Sequence, residues 1–165
     1  MYSLTNCHMN YLYGRPISGA VMNHTRYETD VVAWANEQAA LLRAGKFSEI
    51  DIVNIAEEIE DVGKSEQREL TSRIAVLIDY LLKWKYQPSY RRTSWERTIK
   101  AQRKEILYGL KESPSLKTKL SDSDWIDVVW SKAVASAMNE TGLDVFPDVC
   151  IWSISQILSS EFYPD

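Results

Sequence analysis

Histidine is scarce in this sequence, and its two copies, His8 and His24, both lie near the N-terminus. Residues 27–165 therefore offer no imidazole to act as a base or to bind a metal ion. The two cysteines, Cys7 and Cys150, lack the close spacing of a metal-binding motif and predict thiols without a disulfide. Glycine-rich phosphate loops and nucleophile-elbow motifs are also missing. These absences argue against nucleophilic catalysis.

Long apolar runs are missing as well. The best candidate, IAVLIDYLLKW, is interrupted by Asp79 and Lys83 and falls short of the roughly 18 apolar residues of a membrane span. The N-terminus has neither the basic start nor the apolar middle of a secretion signal. The sequence therefore predicts a cytoplasmic protein that does not contact a membrane and whose thiols stay reduced.

Overall composition is that of an ordinary globular protein, with 45% hydrophobic residues, 25% charged residues and a formal net charge of −4. This balance argues against a disordered chain and against a protein that coats DNA. The charge is unevenly distributed along the chain. Residues 83–104 carry eight Lys or Arg and one acid, so this stretch has a charge of +7 and the remainder −11.

Residues 1–26 differ from the rest of the chain. They contain no acid, hold both histidines and show no helical period. We predict that they form a weakly ordered or peripheral extension, or an upstream start in front of Met22. The predicted domain is 27–165.

The pattern from Tyr27 onward is helical. Thr29 or Asp30 can cap a first helix that Gly45 ends. A second helix is predicted from Ser48 or Asp51, with a break or kink at Gly63. Its apolar stripe consists of Ile52, Ile55, Ile59 and Val62.

Later helices are predicted from the same signals. A third runs over 65–86, and Thr93 with Glu96 resembles a capping box that opens a fourth, which Pro114 ends. A fifth covers 124–139, and a short last helix follows a second capping box formed by Ser153 and Gln156. The prediction is an all-α, single-domain bundle of five to seven helices without significant β-sheet. Its predicted core comprises Trp34, Ile55, Ile59, Leu77, Leu81, Trp84, Trp95 and Ile99.

The basic stretch divides into two faces on the fourth helix. The apolar face contains Trp95, Ile99, Gln102, Ile106 and Leu110. About 150° away lies a basic row, defined as Arg97, Lys100, Lys104 and Lys111. Arg91 and Arg92 precede the helix, with Tyr90 nearby for stacking, and these six cations are the candidate partner-binding residues. Three interpretations stay open, namely a solvated face, a patch for an anionic partner and an intramolecular ion-pair network.

The acidic block AEEIED suggests a metal site as an alternative, with Glu57, Glu58 and Asp61 as ligands. At about 100° per residue, Glu57 and Asp61 point away from the predicted apolar stripe, and the core has no histidine to complete a site. A solvated or ion-paired face is the preferred interpretation, and the sequence implies no cofactor.

Many blocks of the chain resemble a bacterial helical family known as domain-of-unknown-function family twenty-nine. The resemblance covers Tyr27 to about Pro164 and rests on these segments: YETD, EQAALLRAGKFSEIDIVNIAEEIEDVGKSEQREL, LLKWKYQP, SWERTIKAQRKEI, SPSLK and FPDVCIWSISQILSSEFYP. It implies an all-helical fold and no reaction or catalytic residues. The family pattern often places a histidine before LLKW, where this chain has Tyr80, and an aromatic residue after YETD, where this chain has Val31 and Val32.

Two functional hypotheses follow. The first is a non-catalytic interaction module that uses charge-segregated helix faces to bind an unknown protein or its own copy. The alternative is a metal-dependent factor that processes or binds nucleic acid through the acidic block at 57–61 and the cations at 91–104. The sequence favours the first, since Trp84 and Trp95 occupy core-facing positions and so do not offer bases a stacking surface.

Overall fold

A computed structural model describes residues 26–165 as an all-α bundle, which confirms the predicted fold class. No strand occurs within these residues. The α-helices are α1 (Val31–Arg43), α2 (Ile52–Tyr86), α3 (Thr93–Glu112), α4 (Ser123–Thr141) and α5 (Ile154–Leu158), and two 3-10 helices cover Pro88–Tyr90 and Pro114–Ser121. The predicted extension over 1–26 lies, apart from Arg26, outside the described residues, as do Cys7, His8 and His24.

Contacts divide the chain into two compact units, whose boundary falls between Ile55 and Ala56. The described part of the first unit contains α1, the following loop and the start of α2. Asp30 caps α1 by accepting a hydrogen bond of 2.9 Å from the amide of Ala33, as predicted. Gly45 follows the helix with a φ of 71°, a conformation that favours glycine.

Asp51 connects the elements of the first unit. Its carboxylate accepts hydrogen bonds from the indole of Trp34 at 3.2 Å and from the amide side chain of Asn54 at 2.7 Å. Its backbone N–H donates to the side chain of Gln38 at 2.8 Å. The hydrogen bond from Asn54 is the main reason that the pKa of Asp51 lies below its ordinary value. Asp51 therefore fixes the start of α2.

The predicted break at Gly63 is wrong, because α2 continues without interruption through that residue. A single glycine costs a helix about 1 kcal/mol, too little to end one that leads into a buried segment. The stripe predicted for this part of the helix is also wrong. In the first unit Ile52 is 64% exposed, and in the second unit Ile59 and Val62 are 68% and 65% exposed. Helical spacing shows which residues share one face of a helix, but it does not show whether another segment packs against that face.

The second unit, residues 56–165, contains the main hydrophobic core. Its buried members from α2 begin at Leu70, and the rest come from α3, α4 and α5, from Leu116 in the second 3-10 helix and from Phe146 in the loop after α4. The fully buried large side chains of this core are Ile74, Leu77, Ile78, Leu81, Leu82, Ile99, Ile106, Val129, Trp130 and Ile157. Of the predicted core, Trp34, Leu77, Leu81 and Ile99 are buried in their own units, Ile55, Trp84 and Trp95 are half-buried, and Ile59 is exposed.

Helix ends in the second unit follow local chemistry. The predicted capping box of Ser153 and Gln156 is present at α5. The one predicted at Thr93 is wrong, because Thr93 is already helical and Arg92 caps α3 without a side-chain hydrogen bond. Helix α4 ends at Gly142, whose φ is 70°.

Candidate functional site

Helix α3 holds the basic row on the side opposite to its buried residues. All four cations of the row are exposed, while Ile99, Arg103, Ile106 and Leu110 are buried. Three cations of the row follow one another at intervals of seven residues, which is nearly two helical turns: Arg97, Lys104 and Lys111. They therefore project from almost the same side of α3. None of these three forms an ion pair with any of residues 26–165. They are the uncompensated part of the row.

Lys100 differs from the other members of the row. Its ammonium group lies 2.5 Å from a carboxylate oxygen of Glu96, one turn earlier. This hydrogen bond and the charge of Glu96 raise the pKa of Lys100 above its ordinary value. Lys100 is therefore already partnered in the folded protein.

Two large apolar side chains accompany the row. Leu107 is 52% exposed and Tyr108 is 60% exposed, within one turn of Lys104 and Lys111. We call the basic row together with Leu107 and Tyr108 the α3 patch. A groove of about 750 Å³ runs along it toward the C-terminal segment and is lined in part by Lys104, Leu107, Leu158 and Tyr163. The patch therefore combines positive charge, exposed apolar area and a concave edge.

Arg103, like Lys83 described below, is a buried cation that sequence reasoning missed. It is 4% exposed, and its guanidinium donates to three backbone carbonyls of the C-terminal segment: Ile157 at 3.0 Å, Ser160 at 3.4 Å and Phe162 at 2.5 Å. Burial lowers its pKa, and Tyr163 acts in the opposite direction. The spacing 99, 103, 106, 110 could have revealed this position, since these residues fall on one helical stripe.

The cations that precede α3 are also of two kinds, since some are bound to backbone carbonyls and one is exposed without an ion pair. Arg91 donates from Nε to the carbonyl of Trp84 at 2.8 Å and from its terminal nitrogen to the carbonyl of Pro164 at 3.4 Å. Lys85 donates to the carbonyl of Asp165. Arg92 is exposed and forms no ion pair with the described residues. Several cations of the basic stretch thus bind the protein's own carbonyls.

Aromatic residues of the stretch are engaged inside the second unit. Trp84 packs on Tyr163 with ring centroids 5.0 Å apart, and the Arg91 guanidinium lies 5.1 Å from the Trp84 ring. Trp95 packs edge-on against Tyr80 at 6.5 Å. Tyr90 is exposed, at 58%. The two tryptophans are therefore part of the packing, as their helical positions predict.

A buried charge network lies between α2 and α4. The Lys83 ammonium, 2% exposed, lies 3.2 Å from Asp79 and 2.6 Å from Glu140, and sits 3.8 Å from the centre of the Tyr80 ring. Ser136 donates a hydrogen bond of 3.1 Å to the same Asp79 oxygen that faces Lys83. The other oxygen of Asp79 is buried without a hydrogen-bond partner among the described residues. Burial raises the pKa of Asp79, although Lys83 acts to lower it.

The acidic block lies on exposed turns of α2. Glu57 and Asp61 are exposed and Glu58 is half-buried. The Asp61 carboxylate lies 2.9 Å from the ammonium of Lys64, whose hydrogen bond lowers the pKa of Asp61. Within residues 26–165, no three His, Cys, Asp or Glu side chains converge as metal ligands would. The alternative metal site stays a prediction from the sequence.

Cys150 has the surroundings of a packing residue. Its sulfur donates to the carbonyl of Trp152 at 3.2 Å, and burial raises the pKa of the thiol. An activated nucleophile needs the opposite shift, toward the thiolate. The geometry therefore agrees with a half-buried structural thiol.

Fold and site together describe an all-α protein with a charged helix surface, and no helix of residues 26–165 has the length and apolar character needed to cross a bilayer. The chain belongs to the family described as Domain of unknown function DUF29, whose model matches residues 26–163. No curated protein and no solved structure matches it at a significant level.

Proposed function

We propose that this protein is a non-catalytic interaction module that binds an acidic protein partner through the α3 patch. The observation that carries the proposal is that Arg97, Lys104 and Lys111 have no ion-pair partner among residues 26–165, on a face that also exposes Leu107 and Tyr108. Elsewhere in the basic stretch, every cation except Arg92 is bound to carboxylates or carbonyls of the protein itself.

Electrostatics favours an elongated acidic surface as the complement. The three cations span about 21 Å along the helix axis, at 1.5 Å per residue. Carboxylates spaced at similar intervals on a helix or extended segment would meet all three. Opposite charges of this kind accelerate association and fix the register of the two surfaces.

The apolar residues favour a protein over a nucleic acid. Leu107 and Tyr108 would lose their exposed area on binding, at about 25 cal/mol for each Å² of apolar surface. Tyrosine, which this patch contributes as Tyr108, is enriched in protein interfaces. A single-stranded nucleic acid would instead need several stacking aromatics, and Trp84 and Trp95 are packed within the second unit. The partner we propose therefore carries acidic residues around an apolar centre.

Leu107→Asp is the variant that tests this proposal, with Val128→Asp as the matched control. Leu107 on α3 and Val128 on α4 are both 52% exposed, so the two changes should affect folding equally. The full chain and both variants would be used to capture partners from cells of the source organism. The expected result is one acidic protein that wild type and Val128→Asp retain and Leu107→Asp loses.

Two outcomes would reject the proposal. Retention of the same partner by Leu107→Asp would show that the α3 patch is not the binding surface. Capture of nucleic acid instead, with an affinity that falls steeply as salt rises, would support the alternative function. Capture of a second copy of this chain would identify the partner as itself.

A further inference from the structure

A cavity between α2 and α4 has the features of a small-molecule site and shares no residue with the α3 patch. Its volume is about 510 Å³, within the roughly 300–1,000 Å³ that ligand pockets occupy. Lys64, Arg68 and Ser72 are four residues apart on α2 and form one wall, while Lys132 and Ser136 line it from α4. Spacings of four residues place side chains on one helix face, so each wall is continuous.

The charge of this cavity is positive. Among the described residues that line it are three cations and no Asp or Glu. Lys64 is partly neutralised, because its ammonium lies 2.9 Å from Asp61. Arg68 and Lys132 form no ion pair with any of residues 26–165. Two cations without an ion-pair partner among these residues, one from each helix, therefore border the same space, and Arg68 also lies close enough to Asp61 to help lower the pKa of that carboxyl.

One part of the lining is flat and apolar. Trp125 lines the cavity, and its indole donates to the hydroxyl of Thr71 at 3.0 Å. That hydroxyl in turn donates to the carbonyl of Gln67 at 2.7 Å. These bonds fix the plane of the indole ring. Ala75 and Val76 extend the apolar surface beside it.

We propose that this cavity binds a phosphate monoester joined to a flat organic ring, the chemistry of a nucleoside monophosphate. Arg68 and Lys132 bind the phosphate, since a guanidinium can donate two parallel hydrogen bonds to phosphate oxygens and a lysine adds a point charge. The ring packs on Trp125, where offset stacking and apolar burial stabilise it. Neither contact requires the α3 patch, so this site stands independently of the proposed function.

Isothermal titration calorimetry with adenosine 5′-monophosphate tests the proposal on the full chain. Inorganic phosphate and adenosine serve as separate probes for the two halves of the ligand. The variants are Arg68→Gln and Lys132→Gln, with Lys117→Gln as the control, because Lys117 is an exposed cation that does not line the cavity. The expected result is one binding site, weakened about tenfold by either cavity variant and unchanged by Lys117→Gln.

The other outcomes overturn the proposal. An absence of binding by adenosine monophosphate at millimolar concentration would reject the site. Equal loss in Lys117→Gln and the cavity variants would show unspecific attraction to surface cations. Inorganic phosphate that binds as tightly as the nucleotide would overturn the role of Trp125. Circular dichroism of each variant checks that all of them are folded.

Discussion

Five cations of the second unit occupy two regions that differ in burial and in the partners of the charged groups. In the buried region, Lys83 and Arg103 are 2% and 4% exposed and bind carboxylates and carbonyls of the protein itself. In the exposed region, Arg97, Lys104 and Lys111 have no ion-pair partner among residues 26–165. Arg103 and Lys104 are adjacent in sequence and belong to different regions.

This difference indicates which cations stabilise the fold and which are available to bind a partner. A buried cation is tolerated only when protein oxygens replace the water that it loses, so its partners are part of the fold. An exposed cation keeps its water and adds little to stability, so it can be used for binding. We therefore expect changes in the buried region to lower stability and changes in the exposed region to leave stability intact.

The largest effect is expected for Lys83→Met, which leaves the Asp79 carboxylate buried without its cation. Such a change should lower the free energy of unfolding by about 3 kcal/mol or more at neutral pH. Urea unfolding followed by circular dichroism measures it. Adding Asp79→Asn to Lys83→Met should recover part of the loss, because the uncompensated charge is then removed. A loss below about 1 kcal/mol would contradict the importance of the network.

Arg103→Met should cost nearly as much, about 2–3 kcal/mol, because the carbonyls of Ile157, Ser160 and Phe162 would lose a charged donor. The matched control is Lys104→Met, the adjacent cation on the exposed side, for which we expect a change within about 0.5 kcal/mol. Arg103→Lys should fall between them, since lysine keeps the charge but not the fork of donors. Equal effects of Arg103→Met and Lys104→Met would remove the distinction between the regions.

Stability should also depend on pH through Asp79. Because burial raises its pKa above the ordinary 3.8, the folded state holds this proton more tightly than the unfolded chain does. The contribution of Asp79 to the free energy of unfolding is therefore fully present below pH 3.8 and is lost as the pH rises through the folded pKa.

Comparison of wild type with Asp79→Asn isolates this contribution. The difference between their free energies of unfolding, wild type minus variant, should decrease as the pH is raised from about 4 to about 7. Denaturant titrations at a series of pH values measure it. A difference that increases over this range would show that Lys83 outweighs burial and holds the pKa of Asp79 below its ordinary value.

A smaller effect on stability is expected at an exposed residue of the apolar stripe that the sequence predicts for α2. Ile59→Ser should change the free energy of unfolding by less than about 0.5 kcal/mol, because Ile59 is 68% exposed. Leu77→Ala, on the buried part of the same helix, should cost about 2–5 kcal/mol. Melting curves of the two variants measure the contrast. A large loss for Ile59→Ser would show that the exposed part of α2 is covered in solution.

Several local features of this chain could be predicted from the sequence, although the break at Gly63 and the capping box at Thr93 were predicted wrongly. Features that depend on neighbouring segments could not be predicted. Asp30, Gly45 and the capping box at Ser153 act within a few residues of themselves, so their patterns predicted the helix ends correctly. The exposed side of α3 followed from helical periodicity in the same way. Ile59 and Arg103 were assigned wrongly or missed, because burial depends on which segments pack against a face and which carbonyls they present.

The measurement that tests the central claim most directly combines stability and binding in one double variant, Arg97→Glu with Lys104→Glu. We expect the free energy of unfolding to change by less than about 1 kcal/mol in total, since both side chains are exposed. Partner binding should be lost, because two charge reversals on one row turn attraction into repulsion. The control, Arg43→Glu with Lys117→Glu, makes the same change in net charge at exposed positions outside the patch and should keep the partner. A lower melting temperature with the partner retained would contradict the account.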